Sequence, residues 1–141
     1  MRTLARSVVL IILLAGCASA TGEIRREGTD PIIFVHDLEG GMEMKVGGTL
    51  TYNPSSKCLF LTHTQGGNVE MAPLIWPEGT EPLLHAGKRG VNVPGKGQIL
   101  QGDQVDGAGG GIDPARLAGI TPPPGCLSAE KITPIAITQF N

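Results

Sequence analysis

The sequence predicts an all-β domain, built either as a small antiparallel barrel or as a small sandwich, with one short helical turn at most. Short runs rich in Val, Ile, Leu and Thr are separated at fairly regular intervals by Gly, Pro, Asn and Asp. This pattern is typical of many short strands joined by tight turns. No segment shows the apolar period of a long amphipathic helix.

The predicted strands lie between turn signals. They cover residues 31–36, 42–46, 49–52, 57–63, 69–76, 90–93, 97–100, 104–107 and 131–138. Asn53-Pro54-Ser55-Ser56 predicts a hairpin turn, and the glycine-rich run 107–111 predicts a flexible loop. Asp113-Pro114 suits the start of a single helical turn over 113–118. Pro134 places the last strand at a sheet edge. If these strands close, the barrel is OB-like, and the small sandwich remains the alternative.

Residues 1–16 are ordered like an export signal. Arg2 and Arg6 form a short positive segment, and residues 7–15 form an uncharged apolar run. That run is shorter than the roughly 20 residues needed to span a bilayer. The charged start and the small residues at the end fit a signal peptide better than a membrane-spanning helix.

Leu14-Ala15-Gly16-Cys17 resembles the lipobox of bacterial lipoproteins. The resemblance implies cleavage after residue 16 and a diacylglyceryl lipid on Cys17. It also implies a lipid-anchored protein on the extracytoplasmic face of the cell membrane, which is the outer face of the plasma membrane or, in a Gram-negative cell, the periplasm. An ordinary secretory signal, cut near Ala18-Ser19-Ala20, is the alternative.

This interpretation divides the chain into three parts. Residues 1–16 are the signal peptide, residues 17–30 are a lipid-anchored flexible spacer, and residues 31–141 are a single small β domain. The spacer contains only one large apolar residue, Ile24. We therefore expect it to hold the domain off the membrane without folding itself.

The charge of the mature chain argues against nucleic acid as a partner. Removing Arg2 and Arg6 leaves 9 of the 11 basic residues against 13 acidic ones, so the net charge falls to about −4. The charges are scattered, with no basic stripe. The expected contact with the membrane is therefore the covalent lipid.

Cys58 and Cys126 are predicted to form a disulfide. They are an even pair once Cys17 carries the lipid, and disulfides persist outside the cytoplasm. The two cysteines are 68 residues apart, a loop for which chain entropy gives about 4 kcal/mol of stabilisation. Reduction should then loosen residues 112–141 first. Two free thiols are the alternative.

Several segments of the mature chain resemble small secreted or lipid-anchored β domains of actinobacteria. The segments, in order over residues 47–126, are Cys58-Leu59-Phe60-Leu61, Trp76-Pro77-Glu78-Gly79-Thr80, Gly102-Asp103-Gln104-Val105 and Gly109-Gly110-Gly111. The resemblance implies a β fold and an extracytoplasmic location. It transfers no catalytic residue.

Three histidines are weak candidates for metal ligands: His36, His63 and His85. None has a second histidine or a cysteine at ligand spacing, which favours three separate, mostly solvated side chains. Trp76 is either a ligand platform at a barrel mouth or, as we favour, part of the core. The methionines 42, 44 and 71 suit Cu(I), but core packing is the favoured role.

The sequence predicts a non-enzymatic, lipid-anchored binding or structural domain. It has no nucleophile elbow of the G-x-S-x-G type and no phosphate loop, so no catalytic residue and no cofactor are predicted. The expected partner is an envelope protein, an envelope polymer or a small ligand. The alternatives are an extracytoplasmic metal-binding protein that uses the histidines and, third, a small envelope enzyme.

Overall fold

The computed structural model describes residues 22–40, 42–117, 119–120, 125–126 and 133–141. Within these ranges it confirms the all-β fold and the predicted single helical turn, which is a 3₁₀ turn at Pro114–Leu117. No helix in the described part of the chain is long and apolar enough to cross a membrane. The strands are β1 (Ile24–Glu27), β2 (Ile33–His36), β3 (Met44–Asn53), β4 (Cys58–Gln65), β5 (Asn68–Pro77), β6 (Glu81–His85), β7 (Lys88–Val93), β8 (Gly97–Leu100), β9 (Gln104–Gly111) and β10 (Ile135–Phe140).

Five of these strands close into a barrel. β3, β4 and β5 form an antiparallel meander, β9 pairs with the other edge of β3, and β10 lies between β9 and β5. The pair β5–β10 is parallel, and the other pairs in the barrel are antiparallel. When the five barrel strands β3, β4, β5, β9 and β10 are numbered 1 to 5 in chain order, their order around the barrel is 1-2-3-5-4-1. This is the strand order of OB-fold barrels, so the barrel alternative is confirmed.

Alternate side chains of the barrel strands point to opposite sides of the wall. On β4, Leu59 and Leu61 are buried in the core inside the barrel, whereas Phe60 belongs to a second apolar cluster outside it. The same alternation on β5 puts Leu74 inside and Ile75 outside. The barrel wall is therefore apolar on both sides along part of β4 and β5.

A second, three-stranded sheet closes one end of the barrel. Its strands β6, β7 and β8 are antiparallel and lie in the connection between the third and fourth barrel strands. Val91, Val93 and Ile99 of this sheet are buried in the same cluster as Trp76, near the end of β5. We call this sheet the cap.

An ion pair and a hydrogen bond tie the cap to the barrel and to the turn before β2. Arg89 of β7 donates to both carboxylate oxygens of Asp30, at 3.2 and 3.1 Å, and the hydroxyl of Tyr52 on β3 donates to Asp30 at 2.7 Å. These hydrogen bonds, that from Arg89 above all, lower the pKa of the Asp30 carboxyl. The Arg89 guanidinium also lies 5.1 Å from the centre of the Tyr52 ring.

The hairpin β1–β2 extends the barrel wall, because β2 runs parallel to the end of β5. Ile33 and Val35 of β2 belong to the core inside the barrel, and β1 is an ordered strand within residues 17–30. This corrects the predicted flexible spacer over residues 17–30. Ile24 is only 7% exposed, because it packs in the outer cluster. Gly28 has a φ of +75°, which the tight turn into β2 requires. The spacer before Gly22 lies outside the described residues.

Cys58 and Cys126 are placed at disulfide-bonding distance, with their Cα atoms 5.6 Å apart. Cys58 is the first residue of β4, and Cys126 belongs to the long connection between β9 and β10. Both side chains are buried in the outer cluster beside Ile112 and Leu117. The bridge therefore attaches this connection to the outer wall of the barrel.

The glycine-rich run predicted as a loop is instead the second half of β9 (Gln104–Gly111). A Cβ atom at Gly107 would overlap the carbonyl oxygen of Gln139, and one at Gly109 would overlap that of Ala136. Both oxygens belong to β10. The glycines are needed here because the backbone of β10 occupies the space of the missing side chains.

The last strand was predicted at a sheet edge, and this too is corrected. β10 lies between β9 and β5. It begins at Ile135, directly after Pro134, so the proline costs the sheet no ladder hydrogen bond. The carbonyl of Pro134 accepts a hydrogen bond of 2.8 Å from the amide of Ile112.

Candidate functional site

The barrel is open at the end opposite the cap, because β3 and β4 diverge there. Their pairing ends at Thr49 and Thr62. Beyond this point β3 reaches back to Met44, paired with β9, and β4 runs on to Gln65, paired with β5. The two strands are thus separated by a gap that lies above the barrel interior.

This gap is a groove of about 600 Å³. A smaller cavity of about 340 Å³ adjoins it and shares four of its lining residues. The residues of the groove are Met44, Lys45, Val46, Gly47, Gly48, Thr49, Leu61, Thr62, His63, Thr64, Gln65 and Ile135. Glu70, Ala72, Gly111 and Thr133 extend the lining into the smaller cavity. The groove and this cavity together are called the mouth.

The mouth has an apolar floor and a polar rim. Val46 and Leu61 are buried beneath it and belong to the barrel core. At the rim, Nε2 of His63 lies 3.7 Å from Oε2 of Glu70, directly across the β4–β5 ladder. Nδ1 of His63 is buried and has no hydrogen-bond partner. An apolar floor with a few convergent polar groups is the usual composition of a ligand site.

Exposed apolar side chains gather at the same end of the barrel. Four large apolar residues of the described chain are exposed, and three of them belong to this end: Met44 at 49%, Val69 at 72% and Met71 at 36%. The fourth, Leu84, is in the cap sheet. Met44 lines the groove, whereas Val69 and Met71 alternate on β5 with the mouth residues Glu70 and Ala72 and therefore face outward.

The structure does not bring the three candidate histidines together. His36 is buried in β2, His63 is at the mouth, and His85 is exposed at the end of β6. In the described residues no group of three His, Cys, Asp or Glu side chains is placed to hold a metal ion. The metal-binding alternative therefore receives no support from a shared site of these histidines.

His36 has a structural environment. Its Nδ1 accepts a hydrogen bond of 3.2 Å from the amide of Leu38, so Nε2 must carry the proton that is donated to the carbonyl of Ile137, 2.8 Å away. Both ring nitrogens are thus satisfied in the neutral form. Burial lowers the pKa of this side chain.

This environment predicts a loss of stability in mild acid. The unfolded chain takes up a proton on His36 near its ordinary pKa of 6.5, whereas the folded chain resists protonation. Stability is therefore complete above that pH and falls below it, by up to about 1.4 kcal/mol per pH unit while only the unfolded state is protonated. His36→Gln keeps a donor for Ile137 and does not titrate, so its urea unfolding energy should change less between pH 7 and pH 5. Equal changes in both proteins would contradict the assignment.

Of the other sequence candidates, Trp76 and Met42 have the favoured positions, and Met44 and Met71 do not. Trp76 is fully buried and stacks on Phe140 at 6.2 Å, so it is part of the core and not a ligand platform. Met42 packs in the outer cluster as expected. Met44 and Met71 were expected in the core and are exposed instead. Cys17 lies outside the described residues.

Sequence reasoning did not identify Gln65 and Glu70, and it treated His63 only as a metal candidate. The signal that could have found them is the hairpin register. The turn at Gly66 and Gly67 pairs His63 with Glu70, two side chains on the face of β4 and β5 that points to the barrel interior. Polar residues that continue an inward-facing apolar row mark the place where a barrel opens to solvent.

No protein-family model matches the chain, and no significant match is found among curated proteins or solved structures.

Proposed function

We propose that this protein is a lipid-anchored, non-enzymatic binding domain of the cell envelope, and that the mouth of the barrel is its contact surface. The observation that carries the proposal is the mouth itself: a groove of about 600 Å³ with an apolar floor, a polar rim and exposed apolar side chains beside it. At the capped end a second cavity, lined in part by Val93, Lys96 and Phe140, is smaller, at about 390 Å³.

The lining of the mouth favours binding of an uncharged or mixed-charge partner. It contains one lysine, one glutamate and one histidine among mainly apolar and small polar residues. Nucleic acid needs several basic side chains on one surface, and the chain carries a formal net charge of −2. A protein segment or an envelope polymer therefore fits this lining better than nucleic acid does.

The proposed anchor would keep the barrel close to the membrane. Ile24, the first residue of β1, is seven positions after Cys17 in the sequence, with six residues between them. Even fully extended, this stretch of chain reaches only about 25 Å. A lipid on Cys17 would thus present the domain to partners at or near the membrane surface, which favours a role in the envelope itself.

The proposal can be tested by photo-crosslinking in cells that make the protein naturally. A photoreactive amino acid at Gln65, which is exposed at the mouth, should give a discrete adduct in the membrane fraction. The same amino acid at His85, equally exposed at the end of β6, serves as the matched control and should give none. Cys17→Ala should move the protein to the soluble fraction or leave it unprocessed.

Two results would contradict the proposal. Equal adduct patterns from positions 65 and 85 would show that the mouth is not a preferred contact surface. Wild-type protein in the soluble fraction, or an unmodified Cys17 in the mass spectrum of the membrane form, would exclude the lipid anchor.

A further inference from the structure

We propose that the groove between β3 and β4 binds one extended segment of another envelope protein as an added β-strand. The inference rests on the proposed function, because it names the class of partner that the mouth takes.

The main-chain groups of β3 point alternately toward β9 and toward the groove. The amide and the carbonyl of Leu50 bond with Asp103 and Gly102, on the β9 side. Since hydrogen-bonding groups alternate along a strand and the register with β9 is continuous, the amides and carbonyls of Lys45 and Gly47 face the opposite side. That side is the groove.

The opposite wall presents the same kind of edge. The antiparallel pairs between β3 and β4 alternate, and Thr49 and Thr62 form the last of them. The next residue of β4 with the orientation of Thr62 is Thr64, whose main chain also faces the groove. Within the described chain, β4 beyond Thr62 pairs only with β5. Two strand edges with unused hydrogen-bonding groups therefore face each other.

The walls are shaped so that a backbone can approach them. Consecutive residues of both strands line the groove. If only side chains lined it, alternate residues would be expected, so the main chain of both strands is accessible from the groove. The main chain at Gly47 is uncrowded, since even a Cβ built there would lie 3.8 Å from its nearest atom, the Val105 oxygen. At Gly48 a Cβ would overlap the Thr62 carbonyl oxygen, so the groove ends where the strands meet. An open edge of this kind is the site used in β-strand addition.

The side chains around the groove specify the partner further. A strand in the groove would turn alternate side chains inward, toward apolar Leu61 and Ile135 and then toward the carboxylate of Glu70. Its outward side chains would pass Lys45, which is exposed on the outer side of β3. The complementary segment has apolar and basic residues facing inward and an acidic residue facing outward, with no proline at the paired positions.

The test uses the purified full chain as exported, in detergent, and a phage-displayed library of linear ten-residue peptides. The strongest selected peptide is synthesised with a fluorescent label and becomes the probe. Gly47→Pro removes the groove-facing amide, while Gly47→Ala keeps it and has space for its methyl group. We expect the peptide Kd to rise about tenfold or more in Gly47→Pro and to stay within about twofold in Gly47→Ala.

A measurement on the wild type keeps the test valid if Gly47→Pro does not fold. Saturating peptide should slow amide hydrogen exchange of Lys45 and Gly47 by at least about tenfold. Val46 and Gly48 are internal controls, because their amides already face β9. Unchanged exchange at Lys45 and Gly47 in the presence of a bound peptide would overturn the inference.

The remaining outcomes separate this inference from the proposed function. If peptides bind equally to the wild type and Gly47→Pro, strand addition is wrong, while crosslinking from position 65 still tests the mouth as a contact surface. If no peptide is enriched, or if the chain is a dimer whose formation excludes peptide, the partner is not an extended segment of another protein. If the crosslinking experiment fails and peptide binding succeeds, the envelope role is wrong and the strand site stands.

Discussion

Gly109→Ala is expected to destabilise the protein by about 3 kcal/mol or more, because the new methyl group has no space. A Cβ at this position would overlap the carbonyl oxygen of Ala136 and lie 3.1 Å from the Cα of Ile137. Both atoms belong to the backbone of β10, so no side-chain rotation can relieve the contact. Overpacking that forces a backbone shift typically costs about 1–3 kcal/mol and occasionally more, and here the shift would separate two strands of the closed barrel.

Gly47→Ala is the matched control. Gly47 lies on the adjacent barrel strand β3, and a Cβ there is 3.8 Å from its nearest neighbour, which is ordinary contact. Alanine lowers the conformational entropy of the unfolded chain, which should offset any small loss of folded-state stability. We therefore expect the free energy of unfolding to change by no more than about 1 kcal/mol. Urea unfolding of both variants at the same pH measures the difference. If the two variants unfold at the same urea concentration, the close approach of β10 to β9 is not a constraint on the fold.

The meander of the barrel could be predicted from the sequence because each of its strands carries its own signal. β4 and β5 were predicted nearly at their observed bounds, from the apolar runs in residues 57–63 and 69–76 and the turn at Asn53-Pro54-Ser55-Ser56. β3 was predicted as residues 42–46 and 49–52, which the structure joins into one strand. These are local properties: alternate burial and turn chemistry act over a few residues. The same is true of the 3₁₀ turn at Pro114–Leu117, which Asp113 caps through a 2.9 Å bond to the amide of Ala115.

Three of the errors concern segments whose structure depends on a distant part of the chain. Residues 107–111 have the glycine-rich composition of a loop. They form a strand because they pair with β10, which lies about 30 residues later in the sequence. Pro134 indicated an edge, but it lies just outside β10. Ile24 is a lone apolar residue in a polar segment, and it is ordered because the outer cluster is completed by residues from five other segments. Such tertiary contacts override local propensity.

The mouth could not be predicted from the sequence for a related reason. Its residues come from β3, β4, β5, β9 and the start of β10, and they meet only when the barrel closes. No spacing rule connects Met44, Glu70 and Ile135 along the chain. The sequence did indicate that His63 lies in a strand, and the neighbour that matters, Glu70, follows from the hairpin register. The gap between β3 and β4 has no sequence signal apart from Gly47-Gly48.

Loss of the Cys58–Cys126 bridge should be the other large effect on stability. The bridge joins residues 68 apart in the sequence, and a loop of this length contributes about 4 kcal/mol in the chain-entropy model. Both side chains are also buried, at 2% and 1% exposure, in the outer cluster. We expect the Cys58→Ala, Cys126→Ala double variant to fold with a free energy of unfolding lower by about 4 kcal/mol.

The structure indicates which part of the C-terminal segment should loosen first when the bridge is reduced. From the sequence, residues 112–141 as a whole were expected to loosen first. β10 is held between β5 and β9, however, whereas Ile112 and Leu117 pack only in the outer cluster that the bridge secures. On reduction, hydrogen exchange should therefore accelerate around residues 112–117 before it accelerates in 135–140.

Wild-type protein with and without reductant separates the bridge from the buried side chains. Reductant should lower the melting temperature of the wild type toward that of the double variant and should leave the double variant unchanged. Counting thiols under denaturing conditions gives an independent check, since freshly exported protein should show none at Cys58 and Cys126. Two free thiols would refute the bridge. A wild type whose melting temperature does not respond to reductant, although the bridge is formed, would mean that the capped barrel core is sufficient without it.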